Sequence, residues 1–241
     1  MKSHTNKLIF HRLAAGLAVT GLLVANTAKP ALAAEAKPFR PPAVPLVTFN
    51  PYLSIWSEAD HLTDASPRHW TRREHSLVSL MRIDSKAYRL MGNDPADVPA
   101  LPQVGLQVTP TRSIYDFENG EVHVTLTFMT AALPHDLEVL ARPLSYLTWQ
   151  VRAMDGKAHA VSIYDSTSSQ LAVNRSDEKV VWSRETAGNL TALRIGTEEQ
   201  PILGSCGDDH RIDWGYAYAV APRTQAKAAI GGDATLLKGF V

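Results

Sequence analysis

In "VHVTLTFMT", residues 122–130, Val122, Val124, Leu126 and Phe128 alternate with His123, Thr125 and Thr127. Successive side chains of a strand point to opposite faces, so this period of two predicts one buried face and one solvated face. Just before it, Asn119-Gly120 predicts a type I′ hairpin turn, because both residues tolerate positive φ angles. "SYLTWQVRAMDGKAHAVSIYDS" repeats the device, with Leu147, Trp149 and Val151 before Asp155-Gly156 and Val161 and Ile163 after it, which predicts a second consecutive hairpin. "SLVSLMRIDSKAYRLMG" predicts two strands around residues 84–86, and "EKVVWSRETAGNLTALRIGT" predicts two more around residues 186–189. "RIDWGYAYAVA" predicts a strand from Ile212, with Ile212, Trp214, Tyr216, Tyr218 and Val220 on one face and Asp213 on the other. Sustained 3.6-residue periodicity is nearly absent between these segments. Short strands joined by Gly, Asp and Asn turns predict an all-β chain, an antiparallel β-sandwich.

The N-terminus carries a different pattern. Lys2, Lys7 and Arg12 precede an apolar run over residues 13–25, and small residues ending in Ala31-Leu32-Ala33 follow. The run is shorter than the roughly 20 apolar residues of a membrane span, so residues 1–33 read as a secretory signal peptide and the mature chain as secreted or periplasmic. No membrane attachment is expected after cleavage. Pro38, Pro41, Pro42, Pro45 and Pro51 then exclude helix and predict an exposed, extended lead-in. A Pro-rich joint over residues 93–103 divides the remainder into an N-terminal segment, residues 38–100, and a β-sandwich domain, residues 104–241. Apolar content continues to the end without a closing element, which suggests a sandwich truncated at its C-terminus.

Composition narrows the function classes. Loss of residues 1–33 removes four basic side chains (Lys2, Lys7, Arg12, Lys29) and leaves 20 basic against 24 acidic residues. A mildly acidic chain without a basic stripe argues against nucleic acid as a partner. The roughly 208 remaining residues suffice for a core without disulfides. Cys206 is the one cysteine and reads as a small buried side chain.

Candidate chemistry concentrates in "GDDHRIDWGY", residues 207–216. Asp208 and Asp209 sit beside Gly207 ahead of the expected strand, where short acceptor side chains cap turns; they are the loop candidates for a site. His61, His69 and His75, with Asp60 and Asp64, have spacings that match no compact metal-ligand motif, so no metal is expected. "LGSCG" lacks a Gly-x-Ser-x-Gly elbow, and neither a phosphate loop nor a dinucleotide fingerprint is present, so no cofactor is expected. Trp149, Trp182, Trp214, Tyr216 and Tyr218 all stand in strand-like alternation and read as core residues. An exposed row of them would instead suit a self-standing carbohydrate-binding β-sandwich module.

Several stretches, in order, resemble the N-terminal region of the secreted glutaminase A family: "PPAVPLVTFNPYLSIWS", His69-Trp70, "SLMRIDSKAYRLMG", "VTPTRSIYDFENGEVHVTLTFMT", "ARPLSYLTWQVRAMDGKAHAVSIYDS" and "LRIGTEEQPILGSCGDDHRIDWGYAYAVAP". They cover about residues 40–222. The resemblance implies an N-terminal segment and a β-sandwich of the super-sandwich type, followed by an α-helical catalytic domain that this chain lacks and that would be its partner. It also implies hydrolysis of glutamine to glutamate and ammonia in the intact protein, and no activity in this chain by itself. None of the matching motifs is catalytic. The family commonly has glycine where Ser79 and Ser85 stand, and Ser85 falls in an expected hairpin turn.

Overall fold

The computed structural model describes residues 40–207 and 209–241. The expected signal peptide and Asp208 lie outside the described residues. The described residues form one compact unit. Among the described residues the fold is all-β and antiparallel. Its strands are β1 (Val44–Thr48), β2 (Ser54–Ser57), β3 (Arg68–His69), β4 (Leu77–Ile83), β5 (Lys86–Met91), β6 (Gln103–Thr109), β7 (Arg112–Glu118), β8 (Val122–Thr130), β9 (Ser145–Ala153), β10 (Val161–Thr167), β11 (Val180–Ala187), β12 (Leu190–Thr197) and β13 (Ala217–Pro222). Two short α-helices, α1 (Leu137–Leu140) and α2 (Asp233–Phe240), and a 3-10 helix (Ser169–Ala172) complete it.

The period of two in β7 and β8 does what it predicts. Tyr115, Phe117, Val122, Val124, Leu126 and Phe128 are all buried, while Asp116, His123 and Thr125 face outward and bond to one another. The sheet β6-β7-β8-β9 thereby supplies one side of the core. The other side comes from β1-β2-β3 and β10-β4-β5, through Val44, Leu46, Ile55, Met81, Ile83 and Met91. Hydrogen bonds cross between the layers: Ser113 Oγ donates to Pro45 O at 2.6 Å, and Trp149 Nε1 donates to Ser79 Oγ at 3.1 Å. A third sheet side, β11-β12-β13, follows from the remaining strands.

Several expectations are corrected in detail. β9 and β10 do not form a hairpin: β9 pairs with β8, and β10 pairs with β4 in the opposite layer. Periodicity reports which face of a strand is buried and is silent on its neighbour. The β7–β8 turn is not type I′, since only Gly120 has positive φ, at 87°; the Asn119 side chain accepts from the backbone of Glu121 and Val122 and closes the loop. In the β4–β5 turn the positive φ falls on Asp84, at 53°, and not on Ser85, so serine there costs no strain. The lead-in is exposed only briefly, because Val44 and Leu46 enter the core.

The strand expected from Ile212 starts only at Ala217. Gly215, with φ of 80°, breaks the extended backbone, and Gln200 clamps it by accepting from Gly215 N and donating to Gly215 O. Asp213 is consequently buried in an irregular segment. Trp149 is half-buried, but Trp182, Tyr216 and Tyr218 are exposed, against the core reading. Cys206 is likewise exposed.

Candidate functional site

Two groups of residues that look unrelated along the chain meet at one end of the sandwich. The first comes from β3 and the turn after it. His69 is fully buried; its Nε2 lies 2.9 Å from Pro51 O and its Nδ1 lies 3.0 Å from Thr71 Oγ1. His75 packs against it with ring centroids 4.9 Å apart, and among the described residues neither ring nitrogen of His75 has a hydrogen-bond partner. Burial lowers the pKa of both imidazoles. His75 is pushed down to about 3 by burial first, then by His69 and Arg211, so it is neutral at physiological pH. His69 is lowered by burial, against the opposing pull of the Pro51 carbonyl.

The second group is the loop over residues 198–216. Arg211 N donates to Asn174 Oδ1, and Thr197 Oγ1 donates to Asp213 O, which pins the loop at two points. Arg211 and Asp213 are buried to 5% and 3% exposure, yet among the described residues Arg211 Nη1 and Asp213 Oδ1 make no hydrogen bond. Burial, followed by the charge of Arg73, lowers the Arg211 pKa. His210 stands between Ser205 and Asp213: its Nδ1 is 3.3 Å from Ser205 Oγ, and its Nε2 is 3.7 Å from Asp213 Oδ1. The Tyr52 ring meets the imidazole edge-on at 6.3 Å. Ser205 is exposed, whereas the side chains of His210 and Asp213 are 9% and 5% exposed.

Of the sequence candidates, Asp209 lies at the surface, 3.5 Å from Arg73 Nη2 and 3.9 Å from Arg211 Nη1. Such exposed pairs contribute little to stability. Asp208 lies outside the described residues. His61 pairs with Asp64 on the surface at 3.0 Å, apart from His69 and His75 in role. Among the described residues no group of three or more His, Cys, Asp or Glu side chains has metal-binding geometry. Sequence reading missed Ser205, His210, Arg211 and Asp213 as a unit, because it assigned Asp213 to a strand. The signal was present in Gly215, which breaks the alternation.

A family model described as "Domain of unknown function (DUF5127)" matches residues 111–241. The chain belongs to the DUF5127 family. A second model, "Domain of unknown function (DUF4964)", matches residues 19–103. In DUF5127 terms, the Ser205–His210–Asp213 loop falls within the family domain, and the buried His69 and His75 come from the DUF4964 match. The chain is distantly similar to a protein named Glutaminase A from Aspergillus oryzae (strain ATCC 42149 / RIB 40), with 27% identity over 194 residues. That alignment covers 77% of this chain and 28% of the relative, so the chain spans little more than a quarter of the length of the curated protein it matches. No solved structure matches the chain. Among the described residues no helix is long and apolar enough to cross a membrane.

Proposed function

We propose that the chain is the N-terminal β-domain region of a secreted or periplasmic glutaminase-like amidohydrolase, which converts glutamine and water to glutamate and ammonia. The similarity to Glutaminase A over 194 residues is the observation that carries this reading. In it, the β-domain packs against an α-helical catalytic domain, and glutamine turnover belongs to the assembled protein.

The open edge of the sandwich supports this reading. Inward-facing residues of β8 are fully covered, whereas their neighbours on β9 are not: Val124 is 0% exposed and its partner Val151 is 38% exposed. In the other layer Met81 is 0% exposed and its β10 partner Ile163 is 38% exposed. Apolar side chains left open at both edges, with Val181, Leu190 and Val220 nearby in sequence order on later strands, suit a surface that other polypeptide covers. A sugar-stacking platform has less support. Trp182 shares a face of β11-β12-β13 with Ile195 and Ala217, while Tyr218 follows Ala217 and projects from the other face.

The test is co-expression of the chain with the part of the Aspergillus oryzae Glutaminase A that lies outside the aligned region. The two parts should copurify and release ammonia from L-glutamine, and the chain alone should release none. Equal release by the chain alone, or a failure of the parts to associate, overturns the reading.

A further inference from the structure

We infer that Ser205, His210 and Asp213 form a nucleophile, base and orienting carboxylate for acyl transfer, acting on the carbonyl of a small carboxylic ester. The inference stands apart from the glutaminase reading, because it concerns this chain alone and needs no glutamine specificity.

The imidazole of His210 stands between the other two groups, and their exposure runs in the order the chemistry requires. Ser205 is exposed to a substrate, His210 is nearly covered, and Asp213 is buried. In the tautomer that carries its one ring proton on Nε2, facing Asp213 Oδ1 at 3.7 Å, His210 Nδ1 accepts from the Ser205 hydroxyl at 3.3 Å. That oxygen is buried and has no hydrogen bond among the described residues. A buried carboxylate oxygen without a partner is costly, and the neighbouring Nε2–H is the group a small ring rotation brings to it. Such contacts are commonly long before substrate binds and tighten afterwards. The ring nitrogens exchange roles relative to the serine-protease template, but a triad is defined by its geometry and not by sequence order. Tyr52 and the backbone bond from His210 N to Gly207 O hold the imidazole's position.

Ser205 Oγ adds to the carbonyl carbon while its proton passes to His210 Nδ1. The bond to the leaving alkoxide oxygen then breaks as His210 returns the proton to it. Water, deprotonated by the same nitrogen, hydrolyses the acyl-serine to a carboxylic acid and restores Ser205. Asp213 is a positioning residue, which fixes the ring and balances the imidazolium.

The full chain is treated with a fluorophosphonate probe and, separately, with p-nitrophenyl acetate, alongside Ser205→Ala, His210→Ala, Asp213→Asn and Cys206→Ala variants, each checked for an unchanged thermal melt. The expected result is a phosphonyl adduct mapped to Ser205 by peptide mass. It is absent in Ser205→Ala, forms about a hundredfold more slowly or worse in His210→Ala, and is unchanged in Cys206→Ala. In Asp213→Asn the midpoint of the labelling pH profile falls, a change that loss of packing alone does not produce. An adduct on Cys206 or elsewhere, no adduct at Ser205, or a rate unchanged in His210→Ala overturns the inference. Ser205 is exposed, so its alanine variant remains informative if Asp213→Asn fails to fold.

Discussion

His159 Nδ1 lies 2.9 Å from Asp84 Oδ2, which joins the β4–β5 turn to the loop entering β10. The other ring nitrogen lies 3.0 Å from Asp155 Oδ1, so one imidazolium bridges two carboxylates. Hydrogen bonding to Asp84 and then to Asp155 raises the His159 pKa. Asp155 is lowered to about 2, first by the Lys157 backbone N–H and then by His159. The stabilisation from a raised histidine is complete below its unfolded value near 6.5 and lost as pH rises through the folded value. The stabilisation from a lowered carboxylate is present above its unfolded value near 3.8 and lost as pH falls towards about 2. His159→Gln should therefore lower the melting temperature most near about pH 5 and least above about pH 8. A difference that is flat with pH would remove the ionic account.

His75 should show the opposite dependence. Its folded pKa of about 3 lies below the unfolded value of 6.5, so the unfolded chain binds the proton more tightly. The stability it supports is complete above pH 6.5 and declines as pH falls towards 3. Urea midpoints of His75→Gln should fall less than those of the unmodified protein over that window. Equal slopes would contradict the buried, neutral imidazole.

Gly196 permits a close approach that no other residue allows. A Cβ there would stand 2.5 Å from Tyr216 Cδ1 and 2.6 Å from Gly215 O, and the latter is backbone that cannot swing aside. Arg194 lies over the same Tyr216 ring at 4.4 Å. Gly196→Ala should destabilise by about 1–3 kcal/mol, read from denaturant unfolding, and should displace Tyr216. An unchanged midpoint would show that the strand and loop do not pack this closely.

Ser79 receives the Trp149 indole N–H and donates to Tyr164 O at 3.3 Å. Ser79→Ala leaves that indole N–H without its partner inside the sandwich. The expected loss is about 1–3 kcal/mol. Trp149→Phe removes the donor as well, so adding it to Ser79→Ala should cost less than the sum of the single changes in a double-mutant cycle. Strict additivity would exclude the bond.

Much of the fold was legible where local pattern and burial coincide. The alternation in β7 and β8 marks their buried faces, and the turns at residues 84–85 and 188–189 separate the predicted strand pairs. The site was not legible, because its parts lie far apart in sequence. His69 and His75 reach Arg211 only through the loops at the end of the sandwich, and nothing in their spacing encodes that encounter.

"GDDHRIDWGY" shows the division most clearly. By itself the sequence determined the all-β class and the buried faces of β7 and β8, because these depend on local backbone preference and on a period of two. Tertiary structure alone decided that the alternation before Ala217 is not a strand, that β9 and β10 pair in opposite layers, and that Asp213 lies buried behind His210 and Ser205. The physical reason is that strand pairing and burial arise from contacts between distant segments, such as the Gln200 clamp on Gly215, which outweigh local periodicity where they meet.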